Sequence, residues 1–445
     1  MRVNLPITES SIPIKKIEIV LEEALDAAAP YTLVKKNLQL FDDMLLVGEK
    51  EFPVLPSNKI VLLGLGKASP NMMRAGMDIL TKRVHKSVCV CKHFPPDPKG
   101  LELVKIVEAG HPVPDDRSVE GARVLTHAVE GLNHSDLVIL LLSGGGSALV
   151  CLPAAGVSLS DVQAVTKMLL KNGATINEMN IVRKHLDLFK GGGLLRMASP
   201  ARMAVLVLSD VVGSPLDIIA SGPATADPST YEEAFSILQM YSEGENVAET
   251  IVNHLKSGVE YERINSETGK TNVRTAYHKV IGSSDVSVDA AMEKARELGF
   301  HTDVITYSLT GEAHLAGGML LDALEKCPLQ KPFILFAGGE TTVQVRGKGY
   351  GGRNLEVALG AVKRISGLKN IALVTLATDG EDGPTDAAGA IVTPETYMLA
   401  GADEKFLQYC LDENDSYRYF EKASNLIKTG PTGTNVNDIA IVISY

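Results

Sequence analysis

The sequence predicts an α/β protein of two domains. The first, over 1–245, is Rossmann-like with a mainly parallel sheet; the second, over 270–445, is smaller with a mixed sheet. Three observations carry this reading. Short apolar runs that end in glycine alternate with longer amphipathic segments, as strands alternate with helices. At roughly 150 residues per domain, the 445-residue length allows two or three domains. The stretch from Ser242 to Thr275 is polar and poorly patterned, and reads as a helix plus a domain connection between two sets of apolar runs.

Composition narrows the function classes. Hydrophobic residues at 45% and charged residues at 22% suit a globular chain with a sizeable core. A net charge of −11 argues against nucleic acid or an anionic membrane as the main partner. It still allows an anionic small substrate held by a few well-placed cations. No signal pattern is visible, and no apolar run approaches the ~18 residues of a membrane span. Five cysteines without a regular framework fit a reducing cytoplasm. Cys89, Cys91 and His93 share one face of a strand but lack a fourth zinc ligand, so a buried strand with soft side chains is the better reading.

In chain order, residues 13–38 read as helical, with apolar Ile17, Val20, Leu21, Ala24 and Ala28 and a break at Pro30. Lys59–Leu65 is a strand running into Gly66-Lys67-Ala68-Ser69. A Walker loop requires Ser or Thr directly after the lysine, and Ala68 stands there instead. Lys67 nevertheless lies between a strand end and a helix over Asn71–Leu80, where an anion meets both an ammonium and a helix N-terminus. Val88–Cys91 is a strand. EAGHPVPD forms a turn in which His111 is either a ligand contact or a loop histidine. Val119–Leu132 reads as a helix leading to Leu137–Leu142, a strand buried on both faces. Ser143, Gly144, Gly145, Gly146 and Ser147 follow at once. Glycines let backbone N–H groups approach phosphate, and the serines add hydroxyl donors. A helix over Asp161–Leu170 takes Ser160 as its N-cap. Asn180–Gly193 carries Arg183, Lys184, His185 and Lys190 ahead of three glycines; some of these form a solvated helix face, and Lys190 is a candidate for binding. Ala204–Asp210 is a strand ending in an acid placed for metal or base work.

The second set comprises Lys279–Ile281, Ala290–Leu298, His301–Ile305 and a helix over Glu312–Leu324. Phe333–Ala337 is a strand, followed by Gly338-Gly339-Glu340 and a further strand, Thr341–Val345. RGKGYGGRN then places Lys348, Arg353 and Asn354 at a helix start, collecting backbone donors, a helix dipole and two cations. After the strand Ile371–Ala377, four carboxylates, Asp379, Glu381, Asp382 and Asp386, crowd one loop. They repel one another unless a cation is present, and Mg²⁺ held by Asp379 and Asp382 is the natural guest. A turn and a closing strand end the chain.

Taken in order, GLGKAS, GHPVPD, LLSGGGSAL, KGGG, SDVVGSPLDIIASGPAT, AGGETTV, GKGYGGRN, TDGEDGPTDAAGA and TGPTGTNVND resemble the glycerate 2-kinase (MOFRL) family over nearly the whole chain. The resemblance implies a two-domain α/β enzyme with its active site in the interdomain cleft. It implies ATP-dependent phosphorylation of D-glycerate at the 2-hydroxyl, giving 2-phosphoglycerate and ADP, with a divalent cation. Lys67 and Arg353 match the family's basic active-site pair, and Asp210 is the candidate for orienting the hydroxyl. Ser143 to Ser147, His111, Lys190, Glu340, Lys348 and Asn354 are the expected binding residues. Asp187 departs from the pattern, standing where serine is common. Expected partners are D-glycerate and ATP, with no nucleic acid and no membrane, and a homodimer as the candidate assembly. Some members carry the label hydroxypyruvate reductase. A dinucleotide site, however, requires GxGxxG, and GGGSAL lacks the third glycine. A non-catalytic nucleotide- or sugar-acid-binding protein is the remaining alternative.

Overall fold

A computed structural model describes residues 3–7, 12–95, 97–265 and 275–445. By its internal contacts the chain divides into two units, Pro30–Ile281 and Met1–Ala29 with Gly282–Tyr445. The sequence pattern places all of 1–245 in one domain. The structure differs because the helix Ile14–Ala27 buries Ile17, Val20, Leu21 and Ala24 in a core shared with Val288, Ala291, Phe336 and Ile441. Amphipathic periodicity shows that a helix has an apolar face but not which sheet that face covers.

Unit Pro30–Ile281 opens with a helix, Pro30–Asn37, and a three-stranded antiparallel meander of β1 (Leu38–Phe41), β2 (Met44–Val47) and β3 (Lys50–Pro53). Strands of four residues are too short for their alternation to show in sequence. The main sheet uses β4 (Ile60–Leu65), β5 (Val84–Cys91), β6 (Lys105–Glu108), β7 (Leu137–Ser143), β8 (Arg202–Leu208) and β9 (Tyr277–Gly282) in the order β6-β5-β4-β7-β8-β9. It is parallel from β6 through β8. Every residue of β4 and β7 is buried, as continuous apolar runs in a two-faced parallel sheet require. The helix Leu159–Lys171 is capped by Ser158, not Ser160: Ser158 accepts from the Asp161 amide, and Asp161 reciprocates in a capping box. The helix Glu249–Asn265 fills part of the expected connection; residues 266–274 lie outside the described residues.

The other unit has a mixed sheet of β10 (His301–Leu309), β11 (Phe333–Gly339), β12 (Ile371–Ala377), β13 (Gly389–Val392), β14 (Leu426–Ile427) and β15 (Asp438–Ser444), ordered β10-β11-β15-β12-β13-β14. Only β10 and β11 pair in parallel. The expected strand Thr341–Val345 does not form. It makes a single bridge, Thr342 to Glu312: Thr341 is buried and Val343 packs against the core, but Val345 is 78% exposed, so the alternating face is covered only in part. Among the described residues no helix is long and apolar enough to cross a membrane.

Candidate active site

β4 and β7 run parallel and in register, Leu65 opposite Leu142, so their C-terminal ends deliver Gly66-Lys67 beside Ser143-Gly144. The amide of Lys67 donates to the Gly144 carbonyl at 2.9 Å, and that of Ala68 donates to Ser143 Oγ at 3.1 Å. Gly66 has φ +123°, and a Cβ there would lie 2.3 Å from Ser143 Oγ, so only glycine allows this approach. Gly144 abuts Asp210, which follows β8; a Cβ on Gly144 would sit 1.6 Å from the carboxylate. Gly145 lies against the Lys67 stem and the His111 ring, its hypothetical Cβ 3.1 and 3.3 Å from them. Three separate strand ends and one turn therefore bring together Lys67, His111, Asp210 and Ser143–Ser147. The amides of Gly145, Gly146 and Ser147 donate to no described residue. Burial, helped by the charges of Lys67 and Lys92, pushes His111 down to about 4, so its ring is neutral at pH 7.

Lys190 does not join this group. It is only 4% exposed, and its ammonium donates to Asp187 Oδ2 at 2.5 Å and to the Val150 carbonyl at 2.7 Å. Asp187 also accepts from the amides of Leu152, Phe189 and Lys190. The acid in place of serine thus neutralises a buried lysine and ties down the turn before the three glycines. The ammonium expected to bind substrate is thus engaged within the chain. Sequence reasoning missed Ser221 and Asn180: Ser221 Oγ lies 2.8 Å from Ser147 Oγ and donates to Asn180 Oδ1 at 3.1 Å. The only available signal was the IASGPAT motif, which by itself assigns no contact.

In the other unit, register puts Asp438 at the start of β15 between Gly339 and Ala377. Arg353, the first residue of the helix Arg353–Ile365, grips it bidentately: Nε to Oδ2 at 2.5 Å and Nη2 to Oδ1 at 3.2 Å. Its Nη1 lies 3.0 Å from Glu340 Oε1. Burial works against the guanidinium charge, but Asp438, by charge and hydrogen bonding, and Glu340 outweigh it and hold Arg353 above its ordinary value. Asp438 was missed by sequence reasoning; its one signal was an acid opening an otherwise apolar closing strand.

The helix start expected to meet a phosphate is taken by the chain itself. Asp382, 1% exposed, accepts from the Asn354 amide at 3.0 Å and the Leu355 amide at 2.8 Å, with Asn354 Nδ2 at 3.3 Å. Burial pushes its carboxyl up to about 7 against these hydrogen bonds. The preceding glycines serve packing. A Cβ on Gly347, Gly349 or Gly351 would fall 2.2–2.5 Å from atoms of the Glu413–Ser416 turn. The amides of Arg346 and Gly347 donate to Asn414, those of Lys348 and Gly349 to Glu413, and that of Tyr350 to Asp415. Lys348 itself is exposed. Of the other loop acids, Asp386 pairs with Lys428 at 2.8 Å, and half-buried Asp379 accepts from the Glu381 amide at 3.2 Å. Among the described residues, the group of three side chains placed to share a metal lies elsewhere, at Glu312, His314 and Glu356.

Residues 16–256 match a family described as "Domain of unknown function (DUF4147)", and residues 333–438 match the MOFRL family. The chain is 41% identical over 427 residues to a glycerate 2-kinase of Pyrococcus horikoshii, covering 95% of both chains. It is 40% identical over 437 residues to a D-glycerate 2-kinase of Thermotoga maritima, covering 96% of this chain and 98% of that one. A crystal structure of glycerate kinase from Thermotoga maritima superposes with a TM-score of 0.83 at 37% identity, over 97% of this chain and 99% of that one.

Proposed function

Given that the chain belongs to the glycerate 2-kinase family that joins a DUF4147 region to a MOFRL region, and is a phosphotransferase of that kind, we propose that it moves the γ-phosphoryl group of ATP onto the 2-hydroxyl of D-glycerate, releasing 2-phosphoglycerate and ADP. The observation that carries this is the convergence of Lys67, Asp210 and neutral His111 on the amides of Gly145, Gly146 and Ser147, which donate to no partner among the described residues. Acceptor and donor are both anionic, so a site for them needs cations without excess negative charge. Lys67 neutralises the glycerate carboxylate or the region bridging it to the γ-phosphate. The loop amides hold substrate oxygens, and Asp210 orients the 2-hydroxyl. His111 hydrogen-bonds without adding charge beside Lys67. Arg353 is the second cation of the basic pair that the family resemblance implies, and Asp438 anchors it.

Asp379 would hold a divalent cation, Mg²⁺ first, together with the nucleotide phosphates, a donor set that suits an ion using few protein carboxylates. The cation supplies charge neutralisation on the phosphate oxygens. Asp382 is left out of this set, because both its oxygens serve the helix start. All five cysteines are free, in keeping with a reducing cytoplasm. The test is to incubate the protein with D-glycerate, ATP and Mg²⁺, and separately with hydroxypyruvate and NAD(P)H, and to identify the products. We expect ADP and 2-phosphoglycerate; 3-phosphoglycerate, or oxidation of NAD(P)H, overturns the reading.

A further inference from the structure

We propose that Asn180 and Ser221 set the hydrogen-bond polarity of Ser147, so that the loop offers the acceptor substrate a hydroxyl lone pair that takes an alcohol O–H, rather than a proton for a phosphate oxygen. The inference rests on the reading that Ser143–Ser147 meets substrate.

A serine hydroxyl has one proton. Ser221 is fully buried, and its proton goes to Asn180 Oδ1, itself on a residue only 4% exposed. The 2.8 Å contact between Ser221 and Ser147 must then be filled by the proton of Ser147. Ser147 is half-buried, and among the described residues this is its one side-chain hydrogen bond, so what it turns outward is lone pairs. Ser143 is held differently: it is only 1% exposed, and its Oγ accepts from the Ala68 amide. The two serines flanking the glycines therefore have different partners, a difference that the symmetric look of SGGGS conceals.

The backbone around Ser221 supports a functional placement. Ala220, Ser221 and Gly222 take φ of +51°, +57° and +58°, a left-handed run that L-residues avoid unless their surroundings over-determine it. Several contacts do so. The Ser221 carbonyl accepts from the Gly191 amide at 3.0 Å and the Gly222 carbonyl from the Gly192 amide at 2.7 Å. The methyl of Ala220 fills the space beside Gly146, where a Cβ would lie 2.6 Å away. Ser221 thus joins the SGGGS loop, the helix Ile176–His185 and the KGGG turn, and acts as a positioning residue without reaching solvent.

Steady-state kinetics of the full-length chain, varying D-glycerate and ATP in turn, tests this with variants whose fold is confirmed by circular dichroism. Ser147→Ala and Asn180→Leu should raise the KM for D-glycerate about tenfold and leave the KM for ATP within about twofold. Ser221→Gly removes the same hydroxyl and relieves the strained φ, so it should give the same split with no loss of fold. Asn180→Asp keeps an acceptor for Ser221 and should stay near wild type, which a merely structural role would not predict. A rise in the KM for ATP instead, or a wild-type KM for glycerate in Asn180→Leu, overturns the inference. If Ser147→Ala is silent while Lys67→Ala is inactive, the inference falls and the kinase site stands. If Lys67→Ala also turns over like wild type, the assignment of the loop to substrate falls with it.

Discussion

The loops Ser143–Ser147 and Arg346–Gly352 are both glycine-rich, both have a lysine in or beside them, and both lead into a helix, yet the chain spends them differently. In the first, glycines let Lys67, His111 and Asp210 close around backbone amides that have no partner among the described residues. In the second, glycines let the chain lie on the Glu413–Ser416 turn, five amides are already satisfied, and Asp382 occupies the helix start. A glycine permits close approach; what approaches, a ligand or more chain, depends on the neighbours.

The contrast is open to attack by mutation. Lys67→Ala should lower kcat by about 10³-fold with little change in Tm, since Lys67 is only half-buried. Arg353→Ala should cost on the order of 10²-fold in kcat, and it should also lower Tm, because Asp438 is left buried without its bidentate partner. Parallel kinetics and thermal melts decide it; equal Tm losses in the two variants would erase the distinction.

Alanine at the glycines probes the loops directly. Gly349→Ala drives a Cβ to 2.5 Å from the Glu413 carbonyl and should destabilise by about 2 kcal/mol, with activity recovering at lower temperature. Gly145→Ala meets the Lys67 stem at 3.1 Å at a φ of +83°, and its main effect should be on turnover. Denaturant melts beside kinetics at two temperatures separate the two.

Asp382→Asn removes one of the two oxygens that accept at the helix start. It should cost about 1 kcal/mol and leave the Mg²⁺ dependence of activity as in wild type. A shifted Mg²⁺ requirement would return this residue to the metal site.

The smallest effect concerns His111. Its folded-state value, lowered from 6.5 to about 4, means that the unfolded chain binds more protons in that interval. Its contribution to stability is complete above pH 6.5 and is lost as pH falls toward 4. His111→Gln should flatten the decline of Tm over that window, and an unchanged slope would place the imidazole in solvent.

Much of this protein was determined by the sequence alone, wherever the causes are local. Continuous apolar runs made β4, β7 and β12 strands buried on both faces, and the lysine after β4 was visible as a candidate because a strand end, a glycine and a helix start are adjacent in the chain. The tertiary structure decided whatever depends on a distant partner. Arg353 finds Asp438 85 positions away, and Ser147 finds Ser221 74 positions away. Lys190 is removed from the surface by an acid three residues earlier only because both are enclosed. Asp382 becomes a helix cap because the fold lays its loop across the start of a helix 28 residues upstream. A carboxylate, a glycine or a serine carries the same chemistry in every sequence. Burial and the geometry of its neighbours select which hydrogen bonds it makes, and so whether it serves a ligand or the chain.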